Sequence, residues 1–167
     1  MRSVTDAAAR TRHALMETIG PFTKPDLLAA LDRRRETFEF LLDTAARLAE
    51  RGERPALARE LEKGARRDLL ASTHELITEY CLGTGQEPVY IAQPWYQFAR
   101  VLRNAVVHYR GEYMSRWPDA LHRRGVRELR WRHLVLRDHI GEIVRITNDD
   151  ALAVWAEQRA FAEQGLR

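Results

Sequence analysis

Three side chains in one short stretch, Arg103, Asn104 and His108, are of the types that grip an anion and move a proton. Arginine stays charged at physiological pH and meets phosphate oxygens with a planar fork of donors. Histidine titrates near neutrality, so it can take a proton and return it. Asparagine offers one acceptor and two donors. It either holds the histidine in one tautomer or donates to a phosphate oxygen, and the sequence leaves both roles open. Such a set suits acid–base chemistry at a phosphodiester, with the cation neutralising charge as it builds on the oxygens around phosphorus.

A helix must position them. The stretch from Gln93 to Arg110 reads as one, beginning at Pro94, whose missing N–H costs nothing in a first turn. Trp95, Phe98, Ala99, Leu102, Ala105, Val106 and Tyr109 recur at helical spacing and form one apolar stripe. Asn104 points away from that stripe, and Arg103 and His108 flank it, roughly 140° apart around the axis. Asn104 and His108, four apart, share a face. Tyr96, Val101 and Val107 fall on this side too. A solvated face seldom gathers so much apolar surface around an Arg and a His. It is therefore expected to be covered, most simply by a second copy of the chain, with Tyr96, Val101 and Val107 at the interface.

The run Arg103-Asn104-Ala105-Val106-Val107-His108 resembles the Arg-x(4–6)-His signature of the HEPN superfamily, including the polar residue after the arginine that its active members favour. The resemblance implies a small helical bundle that dimerises across the motif helix. Many such proteins are metal-independent endoribonucleases serving as toxins, anti-phage effectors or RNA-processing enzymes. RNA brings its own nucleophile, the 2′-hydroxyl, so cleavage needs only a base and charge stabilisation. One Arg and one His are too few for both proton transfers, and a twofold axis through the motif face would bring two of each together. The resembled family builds its site in that way. Arg103, Asn104 and His108 are then the catalytic residues, and the products are a 2′,3′-cyclic phosphate and a 5′-hydroxyl. No cofactor is expected. The expected partners are RNA, a second copy, and a cognate antitoxin or defence-system protein. One toxin subgroup carries a modified tyrosine two residues after the histidine. Here Arg110 stands at that position and the tyrosine is Tyr109, which puts that route of regulation in doubt.

Two other functions fit the same residues. One is a non-catalytic HEPN-like module that binds RNA or a nucleotide, or acts as an antitoxin-like adaptor. The other is a plain helical interaction protein whose Arg and His serve a dimer interface. An Arg and a His five apart on a helix are most often a surface charge and a core-edge hydrogen bond, and Trp95, Phe98 and Leu102 are expected in the core.

Composition bounds the choice. The 167 residues fit one domain, 1–167, with a real hydrophobic core. No apolar run is long enough to span a membrane. The start lacks the apolar segment of a secretory signal, and Cys81 alone excludes an intramolecular disulfide framework, so a cytoplasmic location is expected. No Cys/His spacing suggests zinc. Net charge is only +3 although the isoelectric point is near 9.3. Lys24 and Lys63 are the only lysines; an arginine excess suits RNA, but GC-rich coding is the readier explanation of the overall excess, so composition permits nucleic-acid binding without demonstrating it. The most basic stretch, Leu121 to Arg137, holds Arg123, Arg124, Arg127, Arg130, Trp131 and Arg132. With Arg100, Tyr109 and Arg110 these are the RNA-binding candidates, the alternative being an ordinary solvated face. His13, His74, His122, His133 and His139 show no ligand pattern and are taken as structural.

In chain order, a first helix is expected from Thr5 to Ile19, ended by Gly20-Pro21. A second runs from near Pro25-Asp26 to about Gly52, and a third from Pro55 to Leu82, antiparallel to it, with Gly64 a candidate break. Gln86 to Ala92 reads as a connector. The motif helix is expected to continue through Tyr113 and Met114 toward Trp117-Pro118. A bend at Gly111 would leave His108 near a C-terminal end, where the dipole raises its basicity. Glu128–Leu136 and Ile140–Thr147 read as a hairpin turning at Asp138–Gly141. A last helix starts with Asn148 or Asp149 as N-cap. The whole predicts an all-α, HEPN-like up-and-down bundle of about five helices with one small β-hairpin near 128–147.

Overall fold

The computed structural model describes residues 22–50, 52, 54–107, 114 and 116–167. The helix expected over Thr5 to Ile19 lies outside the described residues, as do His108, Tyr109, Arg110, Gly111 and Tyr113. The rest is mostly helical with a small antiparallel hairpin, matching the expected class. No helix among the described residues is long and apolar enough to cross a membrane.

Helix α1 spans Lys24–Glu50. Thr23 opens it: its backbone N–H donates to Asp26 Oδ2 at 3.0 Å, and its hydroxyl accepts from the Asp26 N–H at 3.3 Å. These bonds satisfy two donors that a helix start leaves free. Helix α2, Pro55–Thr84, packs against α1 after a short turn in which Gly52 and Arg54 both take left-handed conformations. It passes through Gly64 without a break, because one glycine costs less than the long apolar stripe around it recovers. Gly85, at φ 68°, ends it by donating its N–H to the Cys81 carbonyl.

The expected connector over Gln86 to Ala92 is instead a short helix, α3, Glu87–Ile91. Pro88 fits its first turn, and Tyr90 carries it into the core at 1% exposure. Helix α4, Tyr96–Val107, begins two residues past Pro94. The continuation expected over Tyr113 lies outside the described residues, and at Met114 there is no helix. The Met114 backbone N–H and C=O bond Glu142 O and Gly141 N at 2.9 and 2.8 Å. A residue paired to a distant segment on both sides has no groups left for a helix.

Helix α5 is Asp119–Arg123. Strands β1, Glu128–Trp131, and β2, Leu134–Arg137, pair antiparallel with Glu128 opposite Arg137 and Trp131 opposite Leu134. The hairpin therefore turns at Arg132-His133, with Arg132 at φ 51°, and not at Asp138–Gly141. The latter does turn, with Gly141 at φ 86°, but the segment after it bonds to Met114 and not to the Glu128–Trp131 strand. Beyond it, Val144 and Ile146 are buried while Ile140 and Ile143 are exposed. Helix α6, Asn148–Gln164, is capped one residue earlier than expected: Thr147 and Asp150 form a reciprocal capping box.

Two apolar clusters share the interior. One joins Phe38, Leu69, Phe98, Leu102, Leu136 and Trp155; the other joins Leu31, Ile77, Tyr90, Trp95, Phe161 and Leu166. Helix α4 feeds both, its buried positions spanning an arc of about 160° around the axis. That makes it a rigid base for whatever stands on its remaining side.

Candidate functional site

On α4 the buried positions are Phe98, Ala99, Val101, Leu102, Ala105 and Val106. The expected apolar stripe is therefore present, with Trp95 also buried. Tyr96, Arg100, Arg103, Asn104 and Val107 are half-buried along the other side. Val101 corrects the interface expectation. At 1% exposure it packs within its own chain's core, because α4 is covered on its flanks as well as its back. Tyr96 and Val107 also lean on their own chain, Tyr96 with its ring 4.9 Å from Tyr90 and Val107 against the first cluster.

Arg103 and Asn104 do meet. Arg103 Nη1 donates to Asn104 Oδ1 at 3.1 Å, while Nη2 donates to Glu75 Oε1 on α2. The Arg103 side chain is 26% exposed and that of Glu75 55%. Arg103 Nε is buried and meets no acceptor. The guanidinium is thus fixed by two neighbours and left with one buried donor, Nε–H, unserved.

His74, beside Glu75 in sequence, points inward at 8% exposure. Its Nδ1 lies 2.8 Å from the Tyr90 hydroxyl, and that hydroxyl donates to Gln158 Oε1 at 3.3 Å. One hydroxyl proton cannot serve two acceptors. The consistent arrangement has neutral His74 donating from Nδ1 to Tyr90, which donates onward to Gln158. Burial, then the Arg103 and Arg100 guanidinia, push the imidazole down to about 4, so it is neutral at physiological pH. Burial likewise raises the Tyr90 and Tyr96 phenols. Arg100 stands beside this group, and no ion pair is seen for it among the described residues.

The basic stretch behaves differently. Arg127 bonds Asp138, whose carboxyl it holds below the usual range, with His122 Nδ1 on the same oxygen at 2.9 Å. Arg130 bonds Glu128 at 2.5 Å, and Arg137 reaches Glu128 and Glu142. Arg132 lies 4.5 Å over the Trp131 ring and 3.5 Å from Glu157. The Trp131 ring also packs 5.8 Å from Phe98, so the chain's own side chains occupy the ring that was to stack on bases. Arg123 and Arg124 are exposed. Phe98 sits about 120–140° around α4 from Arg103 and Asn104, so the hairpin meets that helix on a different side from the motif. Among the described residues, the structure does not bring the two sets of candidates together.

An open groove of about 650 Å³ lies elsewhere, between the hairpin turn and the start of α6, lined by His133, Leu134, Glu142, Ile143, Arg145 and Asp150. Its Asp150 is occupied by the Thr147 cap and by His133 Nε2 at 2.9 Å.

Glu75 is the site neighbour that the sequence did not reveal. The signal nearest to it is the line Leu70, His74, Ile77 and Cys81, an apolar stripe that places His74 inside and Glu75 about 100° away from it. Nothing in that spacing says that α2 crosses α4 at this level. Compared with protein-family models, curated proteins and solved structures, the chain matches none.

Proposed function

We propose that this chain is a metal-independent endoribonuclease of the HEPN type, cleaving RNA in a cleft between two copies. The observation that carries the reading is the hydrogen-bonded Arg103–Asn104 pair on the half-open side of a helix otherwise locked into the core. Arg103 would neutralise the charge developing on the phosphate. With Asn104 Oδ1 engaged by Arg103, its amide N–H donors are the part free to meet a phosphate oxygen. His108, the residue after the described end of α4, would take the 2′-hydroxyl proton as that oxygen attacks phosphorus. Its counterpart in the second copy, protonated, would hand a proton to the departing 5′-oxygen. His74 is unsuited to either step, being buried and engaged with Tyr90. A role as toxin or anti-phage effector, held in check by a partner protein, belongs to the same proposal.

Purified protein incubated with RNA in EDTA tests it. Cleavage leaving 2′,3′-cyclic phosphate ends, abolished by Arg103→Ala and by His108→Ala, is the expected result. Growth arrest on expression, relieved by His108→Ala, is expected of a toxin. The contact between Arg103 and Glu75 favours a second reading, a non-catalytic RNA- or nucleotide-binding or adaptor module in which Arg103 mainly ties α4 to α2. RNA binding without cleavage would select it.

A further inference from the structure

We propose that Glu75 is the resting counter-ion of Arg103, occupying the place that a substrate phosphate takes and so setting how tightly the site grips RNA. The inference rests on Arg103 being the phosphate-binding group of the proposed site. Carboxylate and phosphate compete for the same planar fork of donors. Glu75 reaches that fork from another helix through one oxygen, on Nη2. The Nε–H, which covalent geometry puts on the same edge of the guanidinium, is buried and unmet. The resting contact therefore uses one prong of two, and a group offering two oxygens to a reoriented Arg103 satisfies both. Leaving is easy for Glu75: its side chain is 55% exposed, so water takes over its hydrogen bonds, and ion pairs with so open a member are weak. In the resting state Asn104 holds the guanidinium from the other edge, through Nη1. Arg100, close enough to depress His74 alongside Arg103, adds a second positive charge for an incoming phosphate. Glu75 is in this account a positioning residue that acts through Arg103 and touches no reacting atom.

The test is binding of a short 2′-O-methyl RNA oligonucleotide, which lacks the nucleophile and so reports binding separately from cleavage. Fluorescence anisotropy on the full chain is expected to show Glu75→Gln binding about 3- to 10-fold tighter than wild type at low salt, the gap narrowing as salt screens the charges. In an Arg103→Ala background the same substitution is expected to bring no gain. Glu75→Asp, which keeps the charge and shortens the reach, is expected to fall between the two and covers the case in which the Gln variant does not fold. A Glu75 that only ties α2 to α4 would give unchanged or weaker binding on removal, and a general charge effect would give a gain that persists without Arg103. Equal or weaker binding by Glu75→Gln, a gain that survives without Arg103, or no binding by any variant overturns the inference. Wild-type protein that shows the Glu75 effect yet fails to cut ordinary RNA overturns the nuclease reading alone.

Discussion

The arginines of α4 and those of the 121–137 stretch look alike in the sequence and are used in opposite ways. Along the hairpin, Arg127, Arg130, Arg132 and Arg137 each find an acid nearby, mostly at the surface: Arg130 is 68% exposed and Arg137 55%. Register explains part of this, since Glu128 stands opposite Arg137 in the ladder. On α4, Arg103 is 26% exposed, clamped by its neighbour Asn104 and by an acid from a separate helix, with a buried donor left over. The hairpin's arginines are thus paired off by their own surroundings, while Arg103 is oriented and incompletely satisfied. Charge density is a poorer guide to a site than the rigidity and completeness of each cation's contacts.

The largest expected effect tests this difference directly. Arg103→Ala is expected to slow RNA cleavage by about 100-fold or more, the loss seen when a transition-state donor is removed. Arg127→Ala and Arg130→Ala are expected to leave the rate within about threefold, as surface pairs do. Equal losses in the same EDTA assay would erase the distinction.

Next comes acid stability. Below about pH 6.5 the unfolded chain binds a proton at His74 that the folded chain refuses until about pH 4. Stability from this group is therefore complete above 6.5 and falls as pH drops toward 4, by roughly 3 kcal/mol in all. Urea unfolding of wild type and His74→Asn at both ends of that range should show a smaller pH dependence in the variant.

A smaller loss is expected from Tyr90→Phe, which strips a buried hydroxyl from between His74 and Gln158. The two polar groups left unpaired cost about 1–3 kcal/mol, measurable as a shifted denaturation midpoint. Least of all, Arg130→Ala should lower stability by under about 1 kcal/mol, since its ion pair with Glu128 is largely in water.

Much of the helical frame was legible. The stripe from Trp95 to Val106, the antiparallel α1 and α2 and the start of α6 all follow from local periodicity and caps. What failed depended on distant contacts. Val101 is apolar and lies on the flank of α4, and spacing cannot tell a flank covered by the same chain from one awaiting a partner. The hairpin turn at Arg132-His133 was not legible because an arginine there takes a conformation for which glycine or asparagine is the usual signal. Glu87–Ile91 was missed because a single tyrosine anchors it. Within the site, the pairing of Arg103 with Asn104 was foreseeable from adjacency, and Glu75 was not, because it belongs to a helix crossing 28 residues away.

Helix α3 is too brief to persist by itself, since nucleating one turn is unfavourable and five residues add few bonds afterwards. It endures because Tyr90 links α2, through His74, to α6, through Gln158. The Tyr90 amide proton, bonded to the Gln86 carbonyl beneath this buried link, should therefore exchange with solvent only when those two longer helices part, making it a gauge of cooperative opening across the middle of the molecule.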